Sequence, residues 1–165
     1  METHFMLDKF DISILAALQK DGRLSNRDLA DKIGLSTAPC WRRLKRLEDE
    51  GYINCYTAEL NPKKVNLNVI AFAQVSMDNH HPETLEPFLT VVGKCPEIQE
   101  CHSVSGDCDF LLKIITRDLV SYDELLSKQL LQARGVRSVN TMFSMKQPKI
   151  TREFPLSEFS FNDHS

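Results

Sequence analysis

The sequence predicts an α+β chain, with helices first and a β-α-β-β-α-β succession after them. Apolar residues between Leu7 and Ile53 recur at helical spacing, interrupted by cap and glycine signals. From Leu67 to Met145, strand-like apolar runs exchange with amphipathic ones. Between the two lies Asn61-Pro62-Lys63-Lys64, polar and proline-containing, which reads as a linker. The expected division is therefore residues 1–60, a linker over 61–66, and a second domain over 67–165 that includes the C-terminal tail.

The first helix is expected from Leu7 to Lys20, capped by Asp8, with Phe10, Ile14, Ala17 and Leu18 on its inner stripe. Ser25 caps the second, with Asp28 in its first turn and Leu24 and Leu29 as a hydrophobic staple. Gly34 supplies the backbone freedom that ends it. Ser36 caps the third helix, with Leu35 and Cys40 as a second staple pair, and Pro39 falls in the first turn, where a missing N–H is tolerated.

At about 100° per residue, Cys40, Leu44 and Leu47 share the inner face of that helix. Ala38, Arg42 and Lys45 lie opposite, flanked by Trp41 and Arg46. Two capped helices, a glycine turn and a small-residue start with a basic outer face form a helix-turn-helix, which places its second helix in the DNA major groove. The candidate DNA-binding residues are Ser36, Thr37, Ala38, Trp41, Arg42, Arg43, Lys45 and Arg46. Thr37, Ala38, Trp41 and Arg42 are expected at base edges, and Arg43, Lys45 and Arg46 at phosphates. Asn54–Leu60 is a short strand candidate.

In the second domain, Leu67–Met77 reads as a strand buried largely on both sides. Leu85, Phe88, Leu89 and Val92 form an amphipathic helix, for which a cap at Thr84 would put Pro87 in the first turn. Strands are expected over Ile98–Val104 and Phe110–Thr116, joined through Gly106-Asp107-Cys108. A helix over Ser121–Gln132 ends at Gly135, and Val136–Met145 is the last strand. Two split βαβ units make a ferredoxin-like βαββαβ sandwich with one sheet face free of helices. A second subunit is the simplest cover for that face. Phe154, Leu156, Phe159 and Phe161 suggest that the tail docks on a neighbour.

The chain has 165 residues, 42% hydrophobic and 26% charged, as in an ordinary globular protein. The net charge of −3 does not announce a nucleic-acid binder, but Arg42–Arg46 holds four cations and no anion. The five cysteines show no CxxC spacing, so neither a disulfide framework nor a zinc knuckle is indicated. No apolar run marks a signal peptide or a membrane span, and a reduced, cytoplasmic protein is expected. His80-His81 with Glu83 lacks a third partner at ligand spacing, so these are read as loop residues and no metal site is assigned. His102 reads as a lone strand residue. No nucleophile–base pair and no phosphate-binding glycine loop points to an enzyme or a cofactor. The strands lack the aromatic-basic motif of sheet-type RNA-binding modules.

From about Leu7 to Lys149 the sequence resembles the Lrp/AsnC family of prokaryotic feast/famine transcription regulators. The resemblance is carried by LDKFDISILAALQKDGRLSNRDLA, GLSTAPCWRRLKRLEDEGYI, EIQECHSVSGDCDFLLKI and GVRSVNTMFSMKQPKI, and the hairpin segment is similar to the leucine-responsive branch. It implies an N-terminal DNA-binding domain and a C-terminal ligand-sensing αβ sandwich. It also implies dimers that in this family often form octamers, and an amino-acid effector bound between subunits. The family's G-D-x-D hairpin corresponds to Gly106, Asp107 and Asp109, with Asp109 placed to meet the ligand ammonium.

Chemically, Asp109 can supply the counter-charge, and backbone N–H groups around Ser105, Gly106 and Asp107 can take the ligand carboxylate. Without the family, GDCD reads as only a tight hairpin whose aspartates cap turns. Ser103 and Cys108 depart from the family's apolar and aromatic residues, and Met142, Phe143 and Ser144 fall where the last strand would line a pocket. These departures leave room for an effector smaller or more polar than leucine. Cys108 reads as an inert small residue rather than a redox-sensitive thiol. An architectural DNA-binding protein without a ligand remains the alternative.

Overall fold

The computed structural model describes residues 7–156; Phe159 and Phe161 of the tail lie outside the described residues. The chain divides into two compact units. One holds the residues up to Glu59 together with the tail from Lys149, and the other is Leu60–Pro148.

The first unit contains α1 (Lys9–Lys20), α2 (Asn26–Ile33) and α3 (Thr37–Asp49). Short polar side chains fix where α1 and α2 begin. Asp8 accepts the N–H of Phe10 and Asp11, and the Asp11 carboxylate accepts the N–H of Asp8 in return. Ser25 accepts the Asp28 N–H and donates its own proton to the Asp28 carboxylate. Gly34, at φ 73°, terminates α2 in the left-handed region. Ser36 has the extended backbone of a cap, but its side chain makes no cap hydrogen bond. Ile14, Ala17, Leu29, Ala30, Cys40 and Leu47 form the buried centre.

A fully buried carboxylate, Asp11, lies between α1 and α3. Its Oδ1 accepts hydrogen bonds from Arg43 Nη1 at 2.9 Å and Arg46 Nη2 at 2.8 Å. Arg43 also reaches Asp8 at 2.6 Å. Removing a carboxylate from water is costly unless charged donors replace the water, and these two guanidinium groups do so.

Two expectations for this unit are corrected. Residues 54–60 form no strand, because the four strands of the described residues all belong to one sheet in the other unit and an isolated strand has no ladder to join. The tail packs with the helices rather than with the second domain. The Phe154 N–H donates to Gln19 Oε1 at 2.7 Å, Gln19 Nε2 donates to the Phe154 carbonyl at 3.2 Å, and Arg152 faces Glu59 at 3.6 Å.

The second unit begins with a 3-10 turn, Pro62–Val65, inside the segment expected to be a linker, and Asn61 caps it through the Lys63 N–H. There follow β1 (Val69–Met77), α4 (Pro82–Lys94), β2 (Ile98–Ser103), β3 (Phe110–Thr116), α5 (Leu119–Leu125) with a wider π-helical turn over Leu126–Leu130, and β4 (Val136–Phe143). The sheet order is β2-β3-β1-β4, antiparallel throughout, which is the order of a split βαβ sandwich.

Two helix starts differ from expectation. α4 begins at Pro82 rather than after Thr84, so Pro87 lies within the helix and cannot donate to the Glu83 carbonyl. α5 begins two residues early because Asp118 caps it through the Ser121 N–H. Ala71, Ala73, Val75, Leu112 and Ile114 of the sheet pack against Phe88, Tyr122 and Leu130. By strand alternation, Ile70, Phe72, Leu111, Ile115 and Met142 lie on the opposite face, beside the Lys113–Glu100 ion pair.

Asp11→Ala is expected to destabilise the helical unit by about 2–3 kcal/mol, the cost of losing charge-assisted bonds to two arginines and a backbone N–H. Arg43→Ala leaves Arg46 on Asp11 and is expected to cost less. Denaturant titration of both variants checks the order, and equal stability of Asp11→Ala and wild type would refute it.

Candidate functional site

Helix α3 presents two different sets of cations. Ser36, Thr37, Ala38, Trp41, Arg42 and Lys45 are exposed, Trp41 by 55%. Lys45 pairs with Asp49 one turn on, at 2.8 Å, with both groups exposed. Such a pair yields readily to a phosphate. Arg43 and Arg46 are about half-buried and turn toward Asp11. They were expected at phosphates, yet the structure first uses them to hold α3 against α1. Both still line a cleft of about 250 Å³ with Pro39 and Arg42. Asn26, at the start of α2, donates to the Thr37 carbonyl and so fixes the start of α3 relative to the turn.

The second candidate site lies at the hairpin end of the sheet. The Val104 N–H donates to the Asp109 carbonyl, and the Asp109 N–H to the Val75 carbonyl, which ties the hairpin to the end of β1. Gly106, at φ 130°, allows the turn. Asp109 Oδ2 accepts the Met77 N–H at 2.7 Å, and Oδ1 faces His80 Nε2 at 2.6 Å. The Met77 N–H, then His80, hold the Asp109 carboxyl below the usual aspartate range, with Arg137 adding a weaker pull.

The same end is closed by Asp78, whose N–H donates to the Gly135 carbonyl at 2.8 Å. Gly135 is at φ 83°, and a Cβ there would collide with Thr84 of α4. Ser105, Gly106 and Asp107 are exposed around the turn, and Ser103 is exposed at the end of β2.

Met142, Phe143 and Ser144 are not brought to this hairpin within one chain. Phe143 pairs with Ala71, and the Ser144 N–H donates to Ile70, whereas the hairpin begins opposite Val75. Four residues of strand separate Ala71 from Val75, roughly 13 Å. Phe143 also faces the helices, where its ring meets Tyr122 edge-on, while Met142 lies on the other side of the sheet. Ser144 instead lines a separate cleft of about 500 Å³ with Asn61, Lys63, Asn68 and Lys146.

Sequence reasoning missed Met77 and His80, because the contact runs from a backbone N–H and a loop imidazole to a residue about thirty positions away. Among the described residues no group of three or more His, Cys, Asp or Glu side chains could hold a metal ion. No helix among them is long and apolar enough to cross a membrane.

Comparison with known proteins matches both units. Residues 7–54 fit a family model described as winged helix-turn-helix DNA-binding, and residues 70–154 fit one described as the Lrp/AsnC ligand binding domain. The leucine-responsive regulatory protein of Escherichia coli K12 is 44% identical over 143 residues, 87% of each chain. A transcriptional regulator of Neisseria meningitidis, solved as an L-Met complex, superposes with a TM-score of 0.88 at 39% identity, covering 92% of this chain and 97% of its own. An AsnC family transcriptional regulator from Agrobacterium tumefaciens gives 0.87 at 39% identity, covering 93% and 99%. The chain therefore belongs to the Lrp/AsnC family, whose members are DNA-binding transcription regulators and not enzymes.

Proposed function

We propose that this regulator reads duplex DNA through the start and outer face of α3 and that a small amino acid, bound at the Gly106–Asp109 hairpin, alters its assembly or its DNA binding. The observation that carries the first half is the separation of cations on α3. Arg42 and Lys45 face solvent beside Trp41, while Asp11 holds Arg43 and Arg46 from behind. Thr37, Ala38, Trp41 and Arg42 are assigned to base edges, and Lys45 to phosphate, with Ser36 at the helix start. Arg43 and Arg46 reach phosphate only from the edge that Asp11 leaves open.

The second half rests on Asp109, a carboxylate kept ionised by a backbone donor at the end of the ligand-binding unit. It would neutralise the effector's ammonium, and the hairpin N–H groups would take its carboxylate. The L-Met complex of the Neisseria regulator makes a small amino acid the natural class to test. Met142, Phe143 and Ser144 complete such a pocket only if a second copy supplies them, consistent with a site between subunits.

Dimerisation through the helix-free sheet face would cover Phe72, Leu111 and Met142, and a dimer can present two recognition helices to successive major-groove faces about 34 Å apart. Octamers are proposed from family membership alone. An effector bound between subunits would shift assemblies only by its differential affinity for them, so DNA affinity would change with no ligand touching DNA.

Arg42→Ala is expected to lose roughly 1–3 kcal/mol at a specific operator, and Lys45→Ala to weaken all sequences and lower the salt dependence. Gel-shift titrations over several salt concentrations check both; unchanged binding in the two variants would refute the interface. Sedimentation at micromolar concentration is expected to show dimers or larger species, and monomers alone, with and without DNA, would refute the assembly. Asp109→Asn keeps the shape and removes the charge. It is expected to abolish the effect of L-methionine or L-leucine on DNA binding while leaving effector-free binding intact, and a response with unchanged midpoint would make Asp109 a turn residue.

A further inference from the structure

The oxygen of Asp109 that an effector's ammonium needs already has a partner in the chain. His80 Nε2 lies 2.6 Å from Oδ1, while Oδ2 is taken by the Met77 N–H. A carboxylate only accepts, so the imidazole donates here through Nε2–H, whether neutral or protonated. The two contacts differ in permanence. Met77 is buried at the end of β1 and its N–H is fixed by the sheet. His80 sits on the segment between β1 and α4, and its side chain is 71% exposed, so it can leave without disturbing the core.

We propose that His80 is a built-in competitor for the effector's ammonium, setting both the affinity of the hairpin for α-amino acids and its dependence on pH. The inference rests on the effector site proposed above. A protonated imidazole holds Asp109 as an ion pair, and a neutral one only as a hydrogen bond, so acidification makes His80 harder to displace. The fixed Met77 N–H holds the Asp109 carboxyl low, so it remains an anion for either partner. Charged groups on the elements around this end include Asp107 on the hairpin, Arg134 just before Gly135, Arg137 on β4, and Asp78, His81 and Glu83 on the segment and helix start that carry His80. His81 is a second imidazole on the same segment, so comparison with His80 variants is what isolates His80.

Calorimetry with L-methionine and L-leucine on the full chain tests this at about pH 6 and about pH 8. Wild-type affinity is expected to fall roughly two- to fivefold at the lower pH, the range available to an exposed ion pair. His80→Ala is expected to bind more tightly than wild type at both pH values, with most of the pH dependence gone. His80→Gln keeps a donor that does not titrate and is expected to bind with a flat pH profile. If His80→Ala binds with wild-type affinity and pH dependence, or more weakly, the competitor is refuted while the Asp109 site stands. If neither amino acid binds any of the three proteins, the effector reading is refuted and this inference with it.

Discussion

The Asp109 carboxylate holds together the end of the sheet from which the site is built. Pairing of β1 with β3 stops at Val75, opposite Phe110, and pairing of β1 with β4 changes register between Ser76 and Met77. Such an irregularity leaves a backbone donor in need of a partner. The Met77 N–H finds it in Asp109 Oδ2, across the hairpin from its own strand. The next donor, from Asp78, goes to Gly135 just before β4. One carboxylate thus fixes the hairpin against the end of β1, and the segment carrying His80 leaves from that fixed point. A charge there is both structural and chemical. Its geometry comes from the backbone, and its remaining oxygen faces His80.

The helical unit uses a carboxylate in a related way. Asp11 completes the cap of α1 through the Asp8 N–H and also draws in Arg43 and Arg46 of α3. Four cations follow one another closely in the sequence, yet they have two destinations. Arg43 and Arg46 brace the helix pair from within, and Arg42 and Lys45 are exposed on the outer face, Lys45 beside Asp49. A buried acid therefore turns part of a basic run inward, against the helix pair.

Local signals in the sequence were dependable where the interaction is local. The Asp8 and Ser25 caps and the Gly34 terminator act within a few residues, and they appear where the sequence places them. Family resemblance and strand patterning led to the split βαβ sandwich and to DNA binding, both now shown. Readings that depended on distant partners fared less well. The segment 54–60 looked like a strand by composition but had no strand to pair with. Pro87 was thought to exclude an earlier helix start, but Pro82 suits the first helical position and the helix tolerates the second proline. The tail aromatic Phe154 gave no hint that Gln19 would hold its backbone on both sides. That Arg43 and Arg46 also bind Asp11 was not legible, because a charge pattern does not reveal an acid some thirty residues upstream. The tight turn between β2 and β3 was legible through the G-D-x-D pattern. Within one chain, strand register sets Met142–Ser144 at the other end of the sheet, a separation that the pattern along the last strand could not reveal.

Whether an amino acid meets the chain at the hairpin end is the claim on which the rest turns, and amide chemical-shift mapping with added L-methionine addresses it most directly. The account predicts saturable shifts concentrated at residues 105–109, at Met77 through His80 and at the start of β4 near Arg137. Shifts confined to the opposite end of the sheet, around Asn61–Ile70 and Ser144–Gln147, or no saturable shifts at all, would contradict it.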